Sequence, residues 1–174
     1  LRDAASILEI QLERPADALE TCCRALVLTP WDDTLEAEIV RLAENVGIEW
    51  AQVVETFDKA GEAAAETARK LHLRFEAGRF AEENIEDPNV ALSSYTAAYE
   101  IMPSRVDVAL AALKAAGRAS SWEAMAEVLL GNAAARDVLE SELVSTIESI
   151  VESEEGWTDL TDELESALIS TPDV

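Results

Sequence analysis

Pro15-Ala-Asp-Ala-Leu-Glu-Thr-Cys-Cys-Arg-Ala-Leu-Val-Leu-Thr-Pro30 and Pro88-Asn-Val-Ala-Leu-Ser-Ser-Tyr-Thr-Ala-Ala-Tyr-Glu-Ile-Met-Pro103 are two copies of one stretch, and their reading decides the fold. Five of sixteen positions coincide, at Pro15/Pro88, Ala18/Ala91, Leu19/Leu92, Ala25/Ala98 and Pro30/Pro103. Each copy opens on a proline, which suits the first helical position because the missing N–H has no partner there, and ends on one, which cannot continue a helix. Outward from this core, Ala4/Ala77, Glu9/Glu82 and Glu13/Glu86 keep the same offset, and Gly61-x-Ala-Ala-Ala65 returns as Gly131-x-Ala-Ala-Ala135. The closing motif Ala-x4-Pro occurs a third time at Ala167 to Pro172, so its prolines stand 73 and 69 residues apart. In that copy Leu160, Leu164 and Ala167 take the places of Ala91, Tyr95 and Ala98, and Trp157 replaces the opening proline. A period of this length holds two helical hairpins of about 34 residues each.

Local signals divide the chain further. Asp87-Pro88 reads as an N-cap followed by a first-turn proline, and Asp33-x-x-Glu36 and Ser120-x-x-Glu123 read as capping boxes. The resulting helices lie near 3–13, 16–28, 33–46, 50–59, 62–85, 89–101, 105–117, 121–131, 134–153 and 158–169. Short connections predict antiparallel neighbours, hence an all-α chain: a right-handed α-solenoid of about five antiparallel hairpins. No linker long enough to separate two domains interrupts it, so residues 1–174 read as a single helical-repeat domain. The chain opens on Leu1 and stops just past Pro172, as an excised piece of a longer array would.

Composition narrows the function. The chain is 49% hydrophobic with 6 Gly and 5 Pro, and its mean hydropathy is +0.01, values of a folded helical protein. A net charge of −23, from 36 acidic against 13 basic residues, opposes binding to nucleic acid or anionic lipid. Residues 134–174 hold twelve acids against Arg136 alone, the most acidic region. No apolar run reaches the roughly 20 residues that cross a bilayer. Cys22 and Cys23 are adjacent in one helix, where side chains about 100° apart do not suit a mutual bridge, so they read as free thiols in a reducing, cytoplasmic setting.

His72 is the only histidine, which excludes Ser-His-Asp, Cys-His and multi-histidine metal arrangements built within this chain. Glycine-rich phosphate loops and calcium loops are absent from the sequence, and no cofactor is expected. Carboxylate pairs such as Glu82/Glu86 read as solvated helix faces. Trp31, Trp50, Trp122 and Trp157 fall near helix starts, where an indole can bury its ring and keep its N–H wet. Trp31 has no aromatic counterpart at Ser104 and is the one expected to be exposed for binding.

The order Ala91-Leu92-x-x-Tyr95-x-x-Ala98-x4-Pro103, repeated as Ala18-Leu19-x-x-Cys22-x-x-Ala25-x4-Pro30, resembles the second helix of a tetratricopeptide repeat. The first helix departs from that family: Ser6 and Arg79 stand for its glycine, Glu9 and Glu82 for its tyrosine. The hairpins at 33–59 and 105–131 match less closely, and half-a-tetratricopeptide relatives fit them as well. The resemblance implies a superhelix whose inner surface, lined by the first helix of each hairpin, holds a peptide or a partner's helix. Its inward positions then fall on Glu38, Arg41 and Asn45, on Glu76, Phe80, Glu83 and Asn84, and on Asp107, Lys114 and Arg118. Arg41, Lys114 and Arg118 would supply positive points for an acidic ligand, and Phe80 an apolar anchor.

The expected function is therefore a noncatalytic scaffold for a protein or peptide partner, with self-association through the terminal hairpins. One alternative is that the acidic surface binds a basic protein or mimics nucleic acid. Another is a regulatory or docking module of an enzyme whose catalytic domain lies elsewhere.

Overall fold

Both proline-bracketed stretches are helices that start on their prolines: α2 spans Pro15–Leu28 and α6 spans Pro88–Ile101. The computed structural model describes residues 2–47, 50–131, 147–149, 151 and 154–170. Among them the other helices are α1 (Arg2–Ser6), α3 (Asp33–Val46), α4 (Trp50–Ala63), α5 (Thr67–Asn84), α7 (Val106–Arg118), α8 (Trp122–Gly131) and α9 (Glu154–Ser170). The described residues contain no strand and are helices joined by short turns, an all-α arrangement. Most of the expected helix at 134–153, with Asp137, Glu140, Glu142 and Glu152, and Pro172 lie outside the described residues.

The chain divides into two compact units, Leu1–Asp87 and Pro88–Val174. In the first, α1 continues into a π-helical turn over Ile7–Gln11, closed by Leu12 N–H donating to the Ile7 carbonyl at 3.1 Å. Ile7, Ile10 and Leu12 are exposed there. Asp32 caps α3, accepting from the Thr34 amide at 3.1 Å and the Thr34 hydroxyl at 2.7 Å. The capping box expected at Asp33-x-x-Glu36 is replaced by a single N-cap at Asp32, since the residue three further on is Leu35, and Asp33 and Glu36 pair instead with Arg69 and His72 on α5. Gly47 ends α3 in the left-handed conformation, φ 63°. Leu35, Ile39, Leu42 and Ala43 form the buried stripe of α3, and Val53, Val54, Phe57 and Ala60 that of α4. α2 packs against α1, α3 and α4, and α4 packs against α5.

Helix α4 does not stop near residue 59 as the sequence suggests, but runs through Gly61 to Ala63. Gly61 is buried, and a Cβ there would stand 3.2 Å from Cγ of Arg74. Its role is close approach to α5, and the turn falls on Ala64–Glu66 instead.

The second unit is built on alanine. Val108, Ala109, Ala112, Leu113 and Ala116 give α7 one apolar face, flanked in the unit's packing by α6 and α8, and α9 packs on α8. The buried motif positions Ala18, Leu19, Ala25, Ala91, Tyr95 and Ala98 match expectation, whereas Leu92 is only half-buried. Ser120 does not cap α8. It takes φ 52° where α7 ends, and Ser121 precedes the first residue of α8. The Tyr99 hydroxyl donates to the Val128 carbonyl at 3.2 Å, and a Cβ on Gly131 would stand 2.6 Å from that oxygen.

Candidate functional site

Helix α5 carries Arg69, His72, Glu76, Arg79 and Glu83 at alternating spacings of three and four, which places them on one face. The face of α3 left over by its buried stripe carries Asp33, Glu36, Ala37, Val40, Arg41 and Glu44. These two faces enclose a groove of about 470 Å³ in the first unit. Phe57 and Phe80 contribute to its floor, with Ala37 and Val40 beside them.

Ion pairs fix the register of the two helices. Arg69 pairs with Asp33 at 2.8 Å and with Glu36, and it also donates to the Pro30 carbonyl. His72 Nε2 meets the other Glu36 oxygen at 2.8 Å. Asp33 faces Arg69 and Glu36 faces His72, so positions advance along both helices together. The hydrogen bond to the Glu36 carboxylate raises the imidazole pKa of His72, against the opposing effect of partial burial.

The expected site residues separate into distinct roles. Arg41 is not a free positive point, since it pairs with Glu38 at 2.6 Å and with Glu9 at 2.7 Å. Phe80 is not an exposed anchor: it is 3% exposed, with its ring centroid 5.1 Å from Phe57 and 5.6 Å from Trp50. The Arg79 guanidinium covers its face at 4.7 Å. Glu76 and Glu83 bracket Arg79 at 2.6 and 3.1 Å. The Asn84 side chain donates to the Phe80 carbonyl at 3.0 Å, and Asn45 is exposed.

In the second unit Asp107 pairs with Arg105, which holds the Asp107 carboxyl below its usual range. Lys114 and Arg118 line a separate cleft with Gly117 and Ser149. Sequence reasoning missed Asp33, Glu36, Ala37, Val40, Glu44 and Arg79 as groove residues. The three-four spacing of charges from Arg69 to Glu83 is the signal that could have found Arg79, and the spacing of Asp33, Glu36, Val40 and Glu44 by three or four is the corresponding signal on α3.

Trp31 is 72% exposed and lines a smaller cleft of about 190 Å³ together with Arg69. Cys22 and Cys23 are buried free thiols. Burial first, then the nearby Glu38 charge, pushes the Cys22 thiol up to about 11. No group of three or more metal-ligating side chains comes together among the described residues, and no helix among them is long and apolar enough to cross a membrane. The groove offers charge, hydrogen-bond acceptors and apolar surface. Comparisons with family models, with curated proteins and with solved structures find no match to this chain.

Proposed function

We propose that this protein is a noncatalytic interaction scaffold that holds a segment of a partner protein in the groove between α3 and α5. The observation that carries the reading is the pairing of Asp33 with Arg69 and Glu36 with His72, each 36 residues apart, with Arg41 meeting Glu9 at a separation of 32. Those separations bracket the roughly 34-residue length of a helical hairpin repeat. On this reading α1 with its π turn, α3 and α5 are successive first helices lying side by side, and α2 and α4 are the second helices behind them. Contacts of Trp50 with Phe80 and of Asp58 and Glu62 with Arg74 run in opposite order along α4 and α5, as antiparallel neighbours require. A tetratricopeptide-like α-solenoid accounts for this arrangement, and a groove between first helices is where such an array presents its inner surface.

Selection from a displayed random-peptide library tests the assignment. Binders should be lost when Ala37, an exposed groove residue, is replaced by Trp, and should be kept when Ala16, exposed on α2, is replaced in the same way. Selected peptides that ignore Ala37→Trp, with the helix content of the variant intact, would place binding elsewhere on the protein.

A further inference from the structure

The resemblance from which the groove was expected suggests positive points and an acidic ligand, but the charges around α3 and α5 argue for the opposite. Arg41 faces Glu9 and Glu38, Arg69 faces Asp33 and Glu36, and Arg79 faces Glu76 and Glu83. Every arginine along this face is bracketed by two carboxylates, so the Arg41 and Arg79 clusters each keep one negative charge in excess, while in the Arg69 cluster His72 also meets Glu36. Glu44, on the groove wall, meets no cation among the described residues. An incoming carboxylate finds no arginine that is not already over-compensated, whereas an incoming guanidinium or ammonium finds acceptors along the whole face. The exposed Ala37 and half-buried Val40 meanwhile offer apolar surface between the charged walls, above the buried rings of Phe57 and Phe80.

We infer that the groove takes a basic peptide segment, one in which arginine or lysine alternates with small aliphatic residues. The aliphatic side chains lie on the floor, and the cations reach Glu44, Glu76 and the bracketing carboxylates. This inference rests on the scaffold reading, since it names the chemistry of the segment that the groove holds. Groove shape and charge excess are independent observations, and together they commit the site to a cationic ligand. The net charge of −23 alone would attract any cation diffusely. In this groove the attraction is concentrated beyond that diffuse background.

The test uses fluorescein-labelled synthetic peptides on one aliphatic frame, with arginine, glutamine or glutamate at alternate positions, titrated with the whole chain and read by anisotropy. The arginine peptide should bind tightest, and raising the salt until the Debye length falls from about 10 Å to about 3 Å should weaken it severalfold or more. Glu44→Gln and Glu76→Gln should each weaken it by roughly two- to fivefold, the range of single exposed charge pairs. Glu20→Gln, an exposed carboxylate on α2, should leave it unchanged, and Ala37→Trp should abolish it. If the glutamine or glutamate peptide binds as tightly and is blocked by Ala37→Trp, the groove is a peptide site but its basic preference is overturned. If Glu20→Gln weakens binding as much as Glu44→Gln while Ala37→Trp does nothing, the attraction is diffuse, and the basic-groove inference fails with it. If no peptide binds, both this inference and the scaffold reading fail.

Discussion

Replacing Phe80 by alanine separates a binding anchor from a core residue. A partner-facing aromatic could be truncated with little effect on folding, since surface changes usually stay within about 0.5 kcal/mol. The structure instead buries this ring, at 3% exposure, with edge-to-face contact to Phe57 and a tilted contact to Trp50. Truncation removes the full transfer free energy and leaves a cavity between α4 and α5, which together cost about 3–5 kcal/mol for Phe→Ala. The two ring contacts, worth about 0.5–1.5 kcal/mol each, fall within that total. Such a loss is a large share of the roughly 5–15 kcal/mol that holds a domain together. Guanidinium unfolding should be followed by tryptophan emission in a Trp31→Phe, Trp122→Phe, Trp157→Phe background, where Trp50 alone reports on the ring beside it. Phe80→Leu, which keeps most of the volume, should lose less than half as much as Phe80→Ala. A Phe80→Ala midpoint corresponding to less than about 1 kcal/mol of destabilisation would refute the burial argument and return Phe80 to the surface.

Gly131→Ala should destabilise the second unit by about 1–3 kcal/mol through overpacking on the Tyr99 hydroxyl, and Tyr99→Phe should recover part of the loss when the two are combined; additive losses in thermal melts would contradict the contact. Native Cys22 and Cys23 should react with a disulfide reagent at pH 8 only as fast as the protein opens, since both are buried, Cys22 at about 11 leaves about one part in a thousand as thiolate, and burial raises Cys23 as well. A fast two-thiol burst from the folded protein would show that the thiols are accessible. The pKa of His72 is raised in the folded state, so its stabilisation is fully present below the ordinary imidazole value of about 6.5 and fades as pH rises through the raised value. Glu36, Glu76 and Arg69 are the charged groups that act on it. The melting temperature of the parent should therefore exceed that of His72→Gln by more at pH 6 than at pH 8.5. The effect should be small, because the imidazole is nearly half exposed and solvent screens it; a difference that grows with pH would reverse the sign.

What the sequence discloses follows from how local each cause is. Prolines act through their own ring and missing N–H, so the starts of α2 and α6 fall on Pro15 and Pro88, and the small residues Ala18, Ala91 and Ala98 are buried as their spacing implies. The π turn at Ile7–Gln11 leaves no such mark, because it differs from an α-turn only in which carbonyl each amide reaches. Gly61 reads as a helix breaker until its neighbour is known, and its reason, Arg74, comes from another helix. The groove was half legible. Counting from the prolines places Glu38, Arg41, Glu76 and Glu83 near it, but a residue's position on a helix does not show what faces it. Arg41 reads as a free cation because Glu9 lies 32 residues away in the chain, and Phe80 reads as an anchor because its burial depends on Trp50 and Phe57 from α4.

The shared register of α3 and α5 also dictates where this chain can change length. Asp33 with Arg69 and Glu36 with His72 depend on one alignment of the two helices. A single residue inserted within Thr67–Asn84 would rotate everything beyond it by about 100° and shift it by about 1.5 Å, dissolving every downstream match at once. The same insertion in the turn at Ala64–Glu66 leaves both helices in phase and only lengthens the connection, at a cost that grows slowly with loop length. Relatives of this chain should therefore vary in length at the turns and hold a fixed count within the helices. Charge swaps between partners should appear as paired substitutions at the positions aligned with Asp33 and Arg69 and with Glu36 and His72, whatever the length of the turn between them.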